Sequence, residues 1–176
     1  CVGRWEWEKG IDRLIDIWLS VHNTHPDWVL DIYGQGMLQD ELQQKILAAN
    51  AGTYIHLKGS SPDIMYEYLN CSLLVLTSRY EGFPMALLEA MACGVPCVTY
   101  DCPFGPRSMI TNMRNGILVE EGEKKEMVDK INYLIENEKN RKKIGTNARK
   151  YVLQYSQKNI MDKWNILFNN CLTITS

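Results

Sequence analysis

Five short β-rich runs alternate with longer helical segments, and that alternation leaves the chain few architectures to choose from. The runs "WVLDIYG" (28–34), "TYIHLKG" (53–59), "SLLVLTS" (72–78), "VPCVTYD" (95–101) and "GILVEE" (116–121) read as strands. Between them, "KGIDRLIDIWLSVHN" spaces Ile11, Leu14, Ile15, Trp18, Leu19 and His22 as one face of a helix. "MLQDELQQKILAAN" does the same with Met37, Leu38, Leu42 and Ile46. "SPDIMYEYLN" opens with a serine cap and a proline at the first helical position. Strand–helix–strand repetition with near-continuous apolar strands predicts an α/β fold, a parallel sheet with helices on both faces. After residue 122 the pattern turns helical, with "EKKEMVDKINYLIENE", "NRKKIGTNARKYVLQY" and "SQKNIMDKWNILFNNCL", the last capped by Ser156.

The 176 residues are expected to form one domain, 1–176. The opening "CVGR" reads as the end of a strand whose beginning is absent, so the chain is expected to be a fragment of a larger protein. An apolar fraction of 45%, a charged fraction of 23% and a net charge of −2 give no electrostatic reason to expect nucleic acid as a partner. Several of the six cysteines lie in apolar runs, where a reduced thiol behaves as a small hydrophobe, and a cytoplasmic location is the simplest reading. Cys93, Cys97 and Cys102 lack metal-ligand spacing and a nearby histidine, so no metal is expected. The basic run "KNRKKIGTNARK" (139–150) offers a contact for anionic lipid at the inner face of a membrane, a solvated helix face being the plainer reading.

In an open parallel sheet, ligands bind beyond the carboxyl ends of the strands, so the loops there matter most. The first, "GRWEWEKG" (3–10), holds Arg4 and Lys9, a pair of cations suited to a diphosphate; a solvated Lys9 and an Arg4 bridging a loop carboxylate explain it equally. "YGQG" places Gly34 at a tight turn, but no G-x-G-x-x-G follows a strand, which removes most support for a dinucleotide site. "YEGFPMALLEAMACGVP" (80–96) is more specific. Pro84 suits the first helical position, leaving the amides of Met85, Ala86 and Leu87 to face an anion. Glu89 is the only polar side chain from Pro84 to Cys93, and a buried carboxylate without a partner is costly. A sugar nucleotide offers a diphosphate to the amides, Arg4 and Lys9, a sugar to Glu81 and a ribose diol to Glu89. The competing readings are a structural Glu89 held by an arginine or backbone amides, and Glu81 as a helix-start charge.

Gly3, Arg4, Lys9 and Gly10, "PDWVLDIYGQG", "VLTSRYEGFPMALLEAMACGVPCV" with Glu81 and Glu89 as an E-x7-E pair, "DCPFGPR" and "NGILV" together carry a resemblance. The chain resembles the carboxyl-terminal, donor-binding half of a GT-B-fold retaining glycosyltransferase of family 4, from residue 3 to about 150. The resemblance implies a Rossmann-like domain for a nucleotide diphosphate sugar, usually UDP-linked, in surface polysaccharide biosynthesis. It places Arg4 and Lys9 at the diphosphate, Glu81 at the sugar with the backbone of Gly82, Phe83 and Pro84, and Glu89 at the ribose. Gly3, Gly34 and the Leu57, Lys58 and Gly59 loop border the nucleotide. It implies metal-independent transfer, with cations and helix amides stabilising the leaving diphosphate.

It further implies that an amino-terminal domain, absent here, binds a carbohydrate or lipid-linked acceptor. The last helix, 156–172, would pack toward that domain or mediate self-association, and this fragment alone would turn over little. One departure is Ser108 after Arg107, where relatives often carry an acid. Two other readings remain: a non-catalytic nucleotide-binding module of the same fold, and a sugar-nucleotide epimerase, which would need the glycine fingerprint and a tyrosine–lysine pair.

Overall fold

In a computed structural model that describes residues 1–173, with side-chain surroundings through Cys171, the strands are β1 (Leu30–Tyr33), β2 (Ile55–Gly59), β3 (Leu74–Leu76), β4 (Cys97–Tyr100) and β5 (Ile117–Val119). The helices are α1 (Ile11–His22), α2 (Gln39–Ala48), α3 (Ile64–Asn70), α4 (Met85–Ala92), α5 (Pro106–Met109), α6 (Lys124–Glu136), α7 (Glu138–Val152) and α8 (Gln157–Thr173). Every strand pairing is parallel. The sheet is not continuous, however. β1 pairs with β2, and β3, β4 and β5 pair in that order. Residues 1–3 run beside β1, with Tyr33 N–H donating to Cys1 O at 2.9 Å and Gly3 N–H to Tyr33 O at 3.0 Å. Between this part and β3 lies a cavity of about 350 Å³, bordered by Cys1, Trp28, Leu30, Tyr68, Leu74 and Val75.

Two cores follow from the two helical layers. α1 packs on α2 and α6, with Ile11, Leu14, Ile15 and Val21 fully buried, each worth roughly 1.5–3 kcal/mol. On the other face, α4 packs on α3 and α7 around Tyr68, Leu87, Ala90, Met91 and Ala148. Met37, placed in the buried stripe by its spacing, is instead exposed before α2 begins, because α2 starts two residues later. The serine–proline start of α3 also differs. Asp63 is the cap, its carboxylate accepting from Tyr66 N–H at 3.0 Å, and Pro62 stays outside the helix. The one-turn α5 was not marked by periodicity, since four residues cannot display it.

Cys1, Cys71, Cys93, Cys97, Cys102 and Cys171 are all free thiols. No described helix is long and apolar enough to cross a membrane. On α8, Met161, Trp164, Ile166, Leu167 and Phe168 are exposed, with Trp164 and Phe168 stacked at 5.4 Å. The side chain of Leu172, within the expected 156–172 helix, lies outside the described residues.

Gly145 on α7 lies against the backbone of Gly94, just past the end of α4. A methyl group there would meet Gly94 O at 2.0 Å. Gly145→Ala should therefore push α7 off the end of α4 and cost about 1–3 kcal/mol, read as a lower urea midpoint. An unchanged midpoint would show that this contact does not set the spacing.

Candidate functional site

The loop that enters α1 and the loop that leaves β3 are joined before any ligand is considered. Gly10 has φ of +61°, and a side chain there would meet Thr77 O at 2.1 Å. Thr77 Oγ1 donates to Gly10 O at 2.8 Å, and Arg13 Nη2 donates to Thr77 O at 2.8 Å. Arg79 N–H donates to Glu8 O at 2.7 Å, while its guanidinium lies over Trp7 and forks onto Asp12 at 2.8 and 2.6 Å. Burial works to raise the Asp12 carboxyl, but the hydrogen bonds and charge of Arg79 outweigh it and hold the group below its ordinary range. Arg79 thus serves the scaffold.

This stitching brings Lys9 to Glu81. Lys9 Nζ lies 2.8 Å from both carboxylate oxygens, and Ser78 Oγ donates to Oε1 at 2.7 Å. Glu81 is only 7% exposed, so its charge is met almost wholly by these two donors. Lys9 is therefore paired with Glu81 rather than solvated. The chain from Asp101 to Gly105 closes over the pair: a side chain at Gly105 would meet Glu81 Cβ at 3.1 Å and Pro84 Cδ at 3.1 Å. Burial, then the nearby negative charge of Glu81, push the Cys102 thiol up to about 11, so it stays neutral. Arg107 is turned away onto Asp101, with Nε to Oδ2 at 2.8 Å, and Ser108 Oγ donates to Gly105 O.

α4 begins one residue later than its sequence indicates. Pro84 is the cap, with ψ of 87°, and Leu87 N–H donates back to Pro84 O at 3.0 Å. Leu87 therefore contributes a fully buried side chain and no free amide, leaving Met85 and Ala86 as the open donors at this helix start. Phe83 leans edge-on against Tyr155 at 5.9 Å, and Gly82 has open space around it. Glu89 has a partner that the sequence did not reveal. The Tyr68 hydroxyl on α3 donates to its Oε2 at 3.2 Å.

The glycines divide. Gly3, Arg4 and Gly34 line a cavity of about 350 Å³ with Tyr33, Ser60 and Ser61. The Arg4 guanidinium is exposed and makes no hydrogen bond or ion pair among the described residues, so it bridges no loop carboxylate. Leu57, Lys58 and Gly59 line a separate hollow of about 340 Å³, with Trp5 and the side chains of α2. Backbone packing explains the separation: Gly34 N–H donates to Gly59 O at 2.8 Å, and a side chain at Gly34 would meet Gly3 O at 1.9 Å. Ser60 and Ser61, rather than the three residues before them, reach the cavity beside Arg4. Among the described residues no group of three His, Cys, Asp or Glu side chains could hold a metal ion.

Ser78 and Tyr68 are the polar neighbours that sequence reasoning missed. Ser78 stands three residues before Glu81, close enough in sequence for its hydroxyl to reach the carboxylate. Tyr68 carried only the general rule that a buried phenol finds a partner.

Residues 1–151 match the family model described as glycosyl transferases group 1. The amylovoran biosynthesis glycosyltransferase AmsD of Erwinia amylovora is 33% identical over 168 residues, covering 96% of this chain and 47% of that protein. A crystal structure of a Staphylococcus aureus TarM mutant in complex with fondaparinux, α-GlcNAc-glycerol and UDP superposes with a TM-score of 0.91 at 32% identity, over 96% of this chain and 34% of that one. The carboxyl-terminal domain of a glycosyl transferase group 1 family protein, LpcC, from Francisella tularensis superposes at 0.77 and 27% identity, over 87% of this chain and 83% of that one. The chain spans less than half the length of the first curated relatives it matches. Its parallel sheet, covered by helices on both faces, is the Rossmann-like architecture of a GT-B domain, and the chain belongs to the group 1 glycosyl transferase family.

Proposed function

We propose that this chain is the donor-binding, carboxyl-terminal half of a retaining family 4 glycosyltransferase. It takes a nucleotide diphosphate sugar, UDP-linked, and serves transfer of a hexosyl-type sugar to a carbohydrate or lipid-linked acceptor held by another domain. The product belongs to surface polysaccharide, and the similarity to the amylovoran biosynthesis glycosyltransferase supports a biosynthetic role. Support for the UDP part comes from TarM, whose structure contains UDP and superposes over 96% of this chain.

The observation that carries the reading is the Lys9–Glu81 pair beside the open amides of Met85 and Ala86. A diphosphate competes for Lys9 Nζ, and the helix start attracts the same anion. When Lys9 turns to the phosphate, Glu81 keeps the Ser78 hydroxyl and gains acceptor capacity for sugar hydroxyls. Binding of the diphosphate and of the sugar is then linked through one ion pair. Arg4 adds a second cation at the crevice mouth. As the glycosidic bond breaks, negative charge builds on the diphosphate, and these donors stabilise it without reorganising. In this account the residues themselves supply the positive charge and no metal is required. Glu89 takes the ribose diol, with Gly3, Gly34, Ser60, Ser61, Gly82, Phe83 and Pro84 bordering the donor. The enzyme works on the cytoplasmic side, with 139–150 facing anionic lipid and α8 facing the acceptor domain.

Titration calorimetry with UDP and UDP-glucose tests the division of labour. Lys9→Met should weaken UDP about tenfold or more, since a charge-assisted contact is worth ~1.5–3 kcal/mol. Glu81→Gln should keep UDP within about threefold and abolish any extra affinity the glucose gives. UDP affinity unchanged in Lys9→Met contradicts the proposal.

A further inference from the structure

We propose that Tyr68 is the positioning residue for Glu89, an inference that rests on the donor-binding reading above. The Tyr68 ring is 2% exposed and is held in the second core by Leu74, Leu76, Leu87, Ala90 and Met91. Close packing leaves its two side-chain torsions fixed, so its hydroxyl stands at a set point on the flank of α4. That hydroxyl donates to Glu89 Oε2 at 3.2 Å. Oε1 makes no hydrogen bond among the described residues, and Glu89 is only half-buried.

A glutamate on an otherwise apolar helix has several rotamers, and freezing one during binding weakens affinity. The buried phenol removes that cost in advance. Burial, then the charge of Glu89, push the phenol well above its ordinary range, so it remains an O–H donor at every working pH. It therefore never competes with the carboxylate as an acceptor. Glu89 Oε2 is anchored, and Oε1 presents its lone pairs to the diol in one orientation. The contact also explains how α4 tolerates Glu89 with no ligand bound.

A merely structural tyrosine would satisfy itself on any nearby acceptor and leave ligand discrimination untouched. The two roles separate in calorimetry with UDP and 2′,3′-dideoxy-UDP, which lacks the diol, alongside thermal melts. Tyr68→Phe keeps the ring and its packing, and removes only the donor. It should weaken UDP about fivefold to tenfold and dideoxy-UDP less than about twofold, so the affinity ratio collapses. Glu89→Gln should lose the same ratio, and Tyr68→Phe combined with Glu89→Gln should be no worse than Glu89→Gln alone. A ratio lost in Glu89→Gln but kept in Tyr68→Phe overturns the role of Tyr68 and leaves the donor reading standing, whatever the melting temperature. A ratio kept in Glu89→Gln overturns the ribose assignment and this inference together.

Discussion

The paired charges of Lys9 and Glu81 are the contact on which the site depends. Neither residue reaches the other by local sequence, since 72 positions separate them. They meet because Gly10, in a left-handed conformation, lets the chain before α1 press against Thr77 O, where any side chain would collide. Thr77 Oγ1 and the Arg79 fork then lock the two loops together. A nearly buried carboxylate is tolerable only with donors of its own, and Lys9 and Ser78 are those donors. The ion pair thus holds the carboxylate in place, and it is also the feature that an anionic ligand would reorganise.

Much of the fold was legible because periodicity is a local property. The five strands lie inside the five β-rich runs, and α1, with Ile11, Leu14 and Ile15 buried, follows its spacing closely. Two things were hidden for physical reasons. The break between β1 and β3 depends on which strands find partners, a non-local matter. Caps depend on which side chain turns back, so Asp63 took the place given to Ser61, and Pro84 stayed outside α4.

The candidate site was legible in its residue types more than in its pairings. Spacing singled out Lys9, Glu81 and Glu89, but the readings it offered for them were a ligand, solvent, a helix-start role or an arginine or backbone amide, and none named Tyr68 or each other. The folded chain gives Lys9 to Glu81 and Tyr68 to Glu89. Polar groups in a site satisfy one another when no ligand is present, and a sequence cannot display such pairings across a fold. Leu57, Lys58 and Gly59 illustrate the same limit. They form the last three residues of β2 rather than a loop after it, and the Gly34 N–H bond to Gly59 O sets them beside α2 and leaves the crevice to Ser60 and Ser61.

A crystal structure of the chain with UDP tests the central claim most directly. The account predicts the diphosphate at the start of α4, with Lys9 Nζ moved from Glu81 onto a phosphate oxygen and Ser78 still on Glu81. UDP bound elsewhere, with the Lys9–Glu81 pair intact at 2.8 Å, would contradict it.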